Sequence, residues 1–155
     1  MKLQGDDIGA QLIDEYRRRT GVGEDAVALP PPCFASMGAV WTSFDAEKAT
    51  LGAQFPVKEE YLNPYRTMQG GFIVAAADNV IGFLSMMVGP PSVTRTLETR
   101  YLRPVLPAMG FVGVTAWFLD REGRRLTFAA DVRSPEGTRL ASVSAVHAVV
   151  SIAGT

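Results

Sequence analysis

The segment that most constrains this chain is GFIVAAADNVIGFLSMMV, residues 71–88. As a helix it would be about 27 Å long, enough to cross a bilayer. Asp78 and Asn79 sit near its middle, where a charge is expensive in lipid. No basic cluster or aromatic belt flanks it. The segment therefore predicts a fully buried helix of a soluble protein, with no membrane partner. Gly70-Gly71 opens this helix and Gly89-Pro90-Pro91 ends it. A carboxylate inside such a helix is costly unless something holds it.

A buried helix needs a cover, and the flanking segments supply strands. Residues 34–45 and 49–57 read as two strands around the polar turn Ala46-Glu47-Lys48, with Leu51, Ala53, Phe55 and Val57 on one face. Residues 59–68 form a polar loop containing Pro64. After the helix come four strands, at 93–103, 111–119, 124–133 and 139–150. In the third of these Leu126, Phe128, Ala130 and Val132 face inward, and Arg125, Thr127, Asp131 and Arg133 face outward. Short turns between the four predict an antiparallel meander. The fold class is α+β, an antiparallel sheet wrapped around a central apolar helix.

Residues 6–20 read as an amphipathic helix with Ile8, Leu12, Ile13 and Tyr16 on one face. Arg17-Arg18-Arg19 in its last turn suits the helix dipole. A linker ending in Pro30-Pro31-Pro32 follows. We divide the chain into an N-terminal helix and linker, 1–32, and a main domain, 33–155.

The composition excludes several function classes. With 15 basic and 16 acidic residues, the net charge is −1, which argues against nucleic acid as a partner. One cysteine, Cys33, and one histidine, His147, cannot build a cysteine zinc site or a multi-histidine metal centre, so no metal is expected. Cys33 reads as a small buried hydrophobe, and His147 as a core or interface residue. Met1-Lys2-Leu3-Gln4-Gly5-Asp6-Asp7 has no apolar run behind a basic start; it is no signal peptide, and a cytoplasmic location is expected.

Four features then line up. Asn63 precedes Gln69-Gly70-Gly71 by six positions, Asp78 follows Gln69 by nine, and a strand beginning near Thr94 ends in Tyr101-Leu102-Arg103-Pro104. In this spacing and order the chain resembles hotdog-fold acyl-CoA thioesterases of the phenylacetate-degradation (PaaI-like) type, within the 4-hydroxybenzoyl-CoA thioesterase superfamily. The resemblance covers about residues 34–150. Members of that family carry a His where this chain has Gln69. Gln donates and accepts hydrogen bonds but does not titrate near neutrality.

The resemblance implies hydrolysis of an acyl-CoA or aryl-CoA thioester, with coenzyme A entering only as part of the substrate and no separate cofactor. Unpaired N–H groups at Gly70 and Gly71, where the helix starts, would polarise the thioester carbonyl. Asp78 would act as general base or nucleophile. Asn63 would bond the carbonyl or orient water, although Asn before Pro is also an ordinary turn residue. Thr94 matches a hydroxyl position that the family uses near the attacking water, although threonine is common in strands. Arg103, and after it Arg95, are the candidates for coenzyme A phosphates, and Phe72 for the acyl group.

Gly70 and Asp78 lie about 12 Å apart along one helix. They cannot serve the same carbonyl, so the site must pair Gly70 of one subunit with Asp78 of another. The resemblance implies the same homodimer, and pairing of dimers into a tetramer. Two other readings stand beside hydrolysis: a hotdog dehydratase or hydratase, which normally needs a central His, and a non-catalytic acyl-CoA-binding protein.

Overall fold

The computed structural model describes residues 5–23 and 27–151. Residues 1–4, 24–26 and 152–155, read above as lead-in, part of the linker and end of the main domain, lie outside the described residues. The elements are α1 (Gly5–Thr20), α2 (Pro32–Ser36), β1 (Val40–Asp45), β2 (Thr50–Pro56), α3 (Gly70–Val88), β3 (Ser92–Tyr101), β4 (Phe111–Glu122), β5 (Arg125–Arg133) and β6 (Arg139–Val149). Short 3-10 turns occupy Glu59–Tyr61 and Pro107–Met109.

The strands form one six-stranded sheet in the order β1-β2-β4-β5-β6-β3, with every neighbouring pair antiparallel. The helix α3 packs against five of these strands, β2 to β6. The inward residues of β5 are those the alternation predicted: Leu126, Phe128, Ala130 and Val132 are buried. They share one core with Ile81, Leu84 and Val80 of α3, which no solvent reaches. Truncating Leu84 or Ile81 to Ala at such a site costs about 2–5 kcal/mol. Ile8, Leu12 and Tyr16 of α1 join the same core.

Four expectations are corrected. First, only β4, β5 and β6 form a meander. The link after β3, residues 102–110, contains Pro104 and Pro107 and is no hairpin. It carries the chain across the sheet, so β4 pairs with β2 and β3 lies at the far edge beside β6.

Second, residues 34–36 are helical rather than extended. Pro32 starts α2, where proline's fixed φ suits a first helical turn. The Ser36 hydroxyl donates back to the Cys33 carbonyl at 3.0 Å, and Gly38 turns the chain into β1 at φ +68°. Phe34 is buried by this turn, stacking on Trp41 with ring centroids 4.0 Å apart.

Third, Cys33 is exposed, and its Sγ donates to Asn79 Oδ1 at 2.9 Å. Fourth, α3 is not buried on all sides. By length and composition it could cross a membrane, and half of its most apolar window is buried inside the fold. The opposite face, with Gly71, Val74, Ala75, Asp78, Gly82 and Met86, stays partly open.

The triple arginine takes its structural role. Arg18 forms a bidentate pair with Glu15 one turn back, at 2.6 to 3.0 Å. Arg19 reaches the Met86 carbonyl at 3.5 Å.

Candidate active site

Asp78 is half-buried on the open face of α3. Its partner is a hydroxyl: Thr94 Oγ1 donates to Asp78 Oδ1 at 3.0 Å. A bulge in β3 aims that hydroxyl. Thr94 pairs with His147 and Thr96 with Val146, so Arg95 is the extra residue. Bulges of this kind re-aim a side chain beside an active site.

Behind Thr94 lies His147, which is 1% exposed. Its Nε2 is 3.2 Å from Thr94 Oγ1, and its Nδ1 is 3.2 Å from Ser92 Oγ. Burial lowers the pKa of the imidazole from its ordinary value, partly offset by the charge of Asp78. A cavity of about 550 Å³ opens over these groups. Its wall combines Asp78, Thr94, Ser92 and His147 with Phe83, Met86 and the Cys33–Asn79 pair. Met87, by contrast, is buried in the core.

The other half of the predicted machinery lies at the start of α3. Gln69 precedes the helix with φ −59° and ψ 134°, and its side chain makes no capping bond. It is exposed, and its main-chain carbonyl accepts from Phe72 and Ile73 N–H at 2.9 and 3.3 Å. Among the described residues, no acceptor takes the Gly70 or Gly71 N–H. These are the free donors that a helix N-terminus offers an oxyanion. Tyr101 Oη donates to the Gly70 carbonyl at 2.9 Å, and a Cβ at Gly70 would meet the Tyr101 ring at 3.0 Å. Gly71 faces open space.

The loop before the helix is organised by Asn63. Its Oδ1 accepts the Tyr65 and Thr67 N–H at 3.0 and 3.2 Å, and its Nδ2 donates to Thr67 Oγ1 at 2.9 Å. Asn63 thus shapes the turn leading to Gln69, with one amide hydrogen to spare. Phe72 stacks on Tyr61 at 4.2 Å, beside this loop.

Of the predicted residues, the structure brings Asp78 and Thr94 together, and separately Gln69, Gly70, Gly71, Phe72, Asn63 and Arg103. Arg103 shares a depression of about 350 Å³ with Gly70, Tyr101 and Val105. That depression and the Asp78 cavity have no lining residue in common. Arg95 lies in neither; it lines a third hollow with Glu122, Arg124 and Arg125. Ser92 and the hydrogen bonding of His147 were not read from sequence. The signal available was their strand phase, but the bulge that sets it leaves no mark in the alternation.

Comparison with known proteins adds to this reading. Residues 65–141 match the model of the Thioesterase superfamily. A phenylacetic acid degradation-related protein of Ralstonia eutropha JMP134 is 26% identical, with a TM-score of 0.72 over 86% of this chain and 99% of that one. The chain has the hotdog fold of PaaI-like proteins, and its residues 65–141 match the thioesterase superfamily. The E. coli PaaI protein of the phenylacetic acid degradation operon shares the fold at 14% identity, with a TM-score of 0.74 over 92% of this chain and 96% of that one. So does smu.793 of Streptococcus mutans UA159, which binds acetyl-CoA, at 17% identity and a TM-score of 0.67 over 83% and 95%. No curated protein sequence is significantly similar to this PaaI-like chain.

Proposed function

We propose that the chain hydrolyses an acyl-CoA or aryl-CoA thioester to the free acid and coenzyme A. Asp78 is the catalytic carboxylate, acting as general base on water or as nucleophile. Gly70 and Gly71 N–H polarise the carbonyl and hold the oxyanion as charge builds on it. The observation that carries this reading is the Asp78 carboxylate, held by Thr94 at 3.0 Å on the wall of an open cavity. The coarser support is the match to the superfamily over residues 65–141.

As general base, Asp78 removes a proton from water while the oxygen attacks the thioester carbon. The tetrahedral oxyanion then collapses, the C–S bond breaks, and the thiolate leaves to be protonated. Thr94 fixes one carboxylate oxygen and leaves the other for water. Gln69, exposed and free of a capping duty, can donate an amide hydrogen to the same carbonyl. Arg103 stands beside Gly70 and suits a phosphate of coenzyme A. No cofactor is needed beyond the coenzyme A of the substrate.

The working unit in this proposal is a homodimer. The Gly70 depression and the Asp78 cavity are separate within one chain. One subunit supplies the oxyanion donors and its partner the carboxylate. The sheet edge at β3 and the open face of α3 are the surfaces available for that pairing.

A non-catalytic acyl-CoA-binding role is the second reading, favoured by Gln69 where the family has His. Thiol release from short, medium, long and aryl acyl-CoA thioesters separates the two. Release from any member supports hydrolysis. Saturable binding without release, by a folded dimer, supports the binding role.

A further inference from the structure

Thr94 has one hydroxyl hydrogen and two neighbours that can accept it. Asp78 Oδ1 is at 3.0 Å and His147 Nε2 at 3.2 Å. A carboxylate only accepts. If Thr94 donates to Asp78, the bond to His147 requires a hydrogen on Nε2. Neutral His147 then has a bare Nδ1, which accepts from Ser92 Oγ at 3.2 Å. Every hydrogen is used once, and all three bonds point from Ser92 towards the carboxylate.

We infer that His147 is a positioning residue for Asp78, acting through Thr94 in the directed chain Ser92–His147–Thr94–Asp78. This rests on the hydrolysis reading of Asp78 given above. By donating from Nε2, His147 commits the Thr94 hydrogen to Asp78 Oδ1. Among the described residues Oδ2 has no hydrogen-bond partner, so it is the oxygen left to act on water.

The surroundings favour a neutral ring, which this chain of bonds requires. His147 is buried, and the Phe128 ring of β5 packs on it at a centroid distance of 5.0 Å. Leu126 is its paired neighbour on β5. Asp78 faces it from α3, and Ser92 and Thr94 face it from β3. The charged groups of the hollow that His147 also lines are Arg95, Glu122, Arg124 and Arg125. Burial favours the neutral ring, in which one nitrogen donates and the other accepts.

His147 is the one histidine in the sequence, so nitrogen-15 NMR of histidine-labelled protein reads it without overlap. Wild type at pH 7.5 should show the neutral Nε2–H tautomer. The Nδ1–H tautomer, or an imidazolium, would overturn the inference, because either breaks the assigned direction. In kinetics, His147→Leu should lower kcat by up to about tenfold with KM nearly unchanged, the upper end of the scale for losing one neutral hydrogen bond. His147→Gln, which keeps a donor, should recover most of that loss. Thr94→Val should match His147→Leu, and the double variant should be no slower than either single one.

Asp78-dependent turnover that His147→Leu leaves unchanged would overturn this inference alone. Turnover that Asp78→Asn leaves unchanged would overturn the reading of Asp78 and this inference with it. If His147→Leu does not fold, the wild-type tautomer still decides.

Discussion

Thr94 on the edge strand β3 donates its hydroxyl hydrogen to Asp78 in the middle of α3, across 3.0 Å. The two residues are sixteen positions apart in sequence. That bond explains how a carboxylate is tolerated within the apolar helix: it is satisfied on one oxygen and faces a cavity on the other. It also ties the sheet to the helix where chemistry is proposed.

The position of Gln69 gives a first prediction. Its side chain is free and exposed at the entrance to α3. If it only donates a hydrogen bond to the carbonyl, Gln69→His should leave kcat/KM equal to wild type or raise it. A large loss, measured by steady-state kinetics, would mean that Gln69 has a role the family His does not fill.

The two glycines should respond differently. Gly71→Ala meets no atom within 4 Å and should raise thermal stability by up to about 1 kcal/mol, since Ala is the better helix former. It should still slow turnover, because the new methyl stands where the thioester approaches. Gly70→Ala pushes on the Tyr101 ring at 3.0 Å and should lose the Tyr101–Gly70 bond, with no gain in stability. Thermal melts beside kcat for both variants check this.

The helix, the polar loop and the inward face of β5 were legible because apolar spacing and glycine punctuation state them directly. The sheet order was not. Strand phase says which face is buried but not which neighbour is paired, and the crossover at residues 102–110 looks locally like any turn. The helical turn at Pro32–Ser36 was hidden by apolar residues that suit either a helix or a strand. At the site, Asp78 stood out as a charge in an apolar run. His147 did not, because its strand phase matches a core residue and only the β3 bulge sets Thr94 opposite it.

His147 predicts a pH dependence of stability. Burial lowers its pKa in the folded state from an ordinary value of 6.5. Above 6.5 both states hold it neutral and nothing is lost. As pH falls below 6.5 the unfolded chain binds the proton first, so stability declines until the folded-state pKa is passed. Thermal melts between about pH 8 and about pH 5, the range that brackets the histidine reference value, should show this decline in wild type. The same melts on His147→Gln should lack that component.

A shared site predicts complementation. Asp78→Asn and Gly71→Val should each be nearly inactive as homodimers. Re-equilibrated one to one, half of the dimers are mixed, and each mixed dimer holds one intact site. Roughly a quarter of wild-type turnover should return, as two-fold symmetry requires. No recovery, with subunit exchange shown by mass, would place both halves of the site within one chain.

The central claim is that the Asp78 carboxylate carries thioester hydrolysis. Its most direct test is thiol release by wild type and by Asp78→Asn on the best acyl-CoA substrate, with fold and oligomeric state checked for both. The account predicts that wild type turns over and that the variant, folded and assembled alike, is slower by about 10² or more, as loss of a general base requires. Equal rates for the two proteins would contradict it.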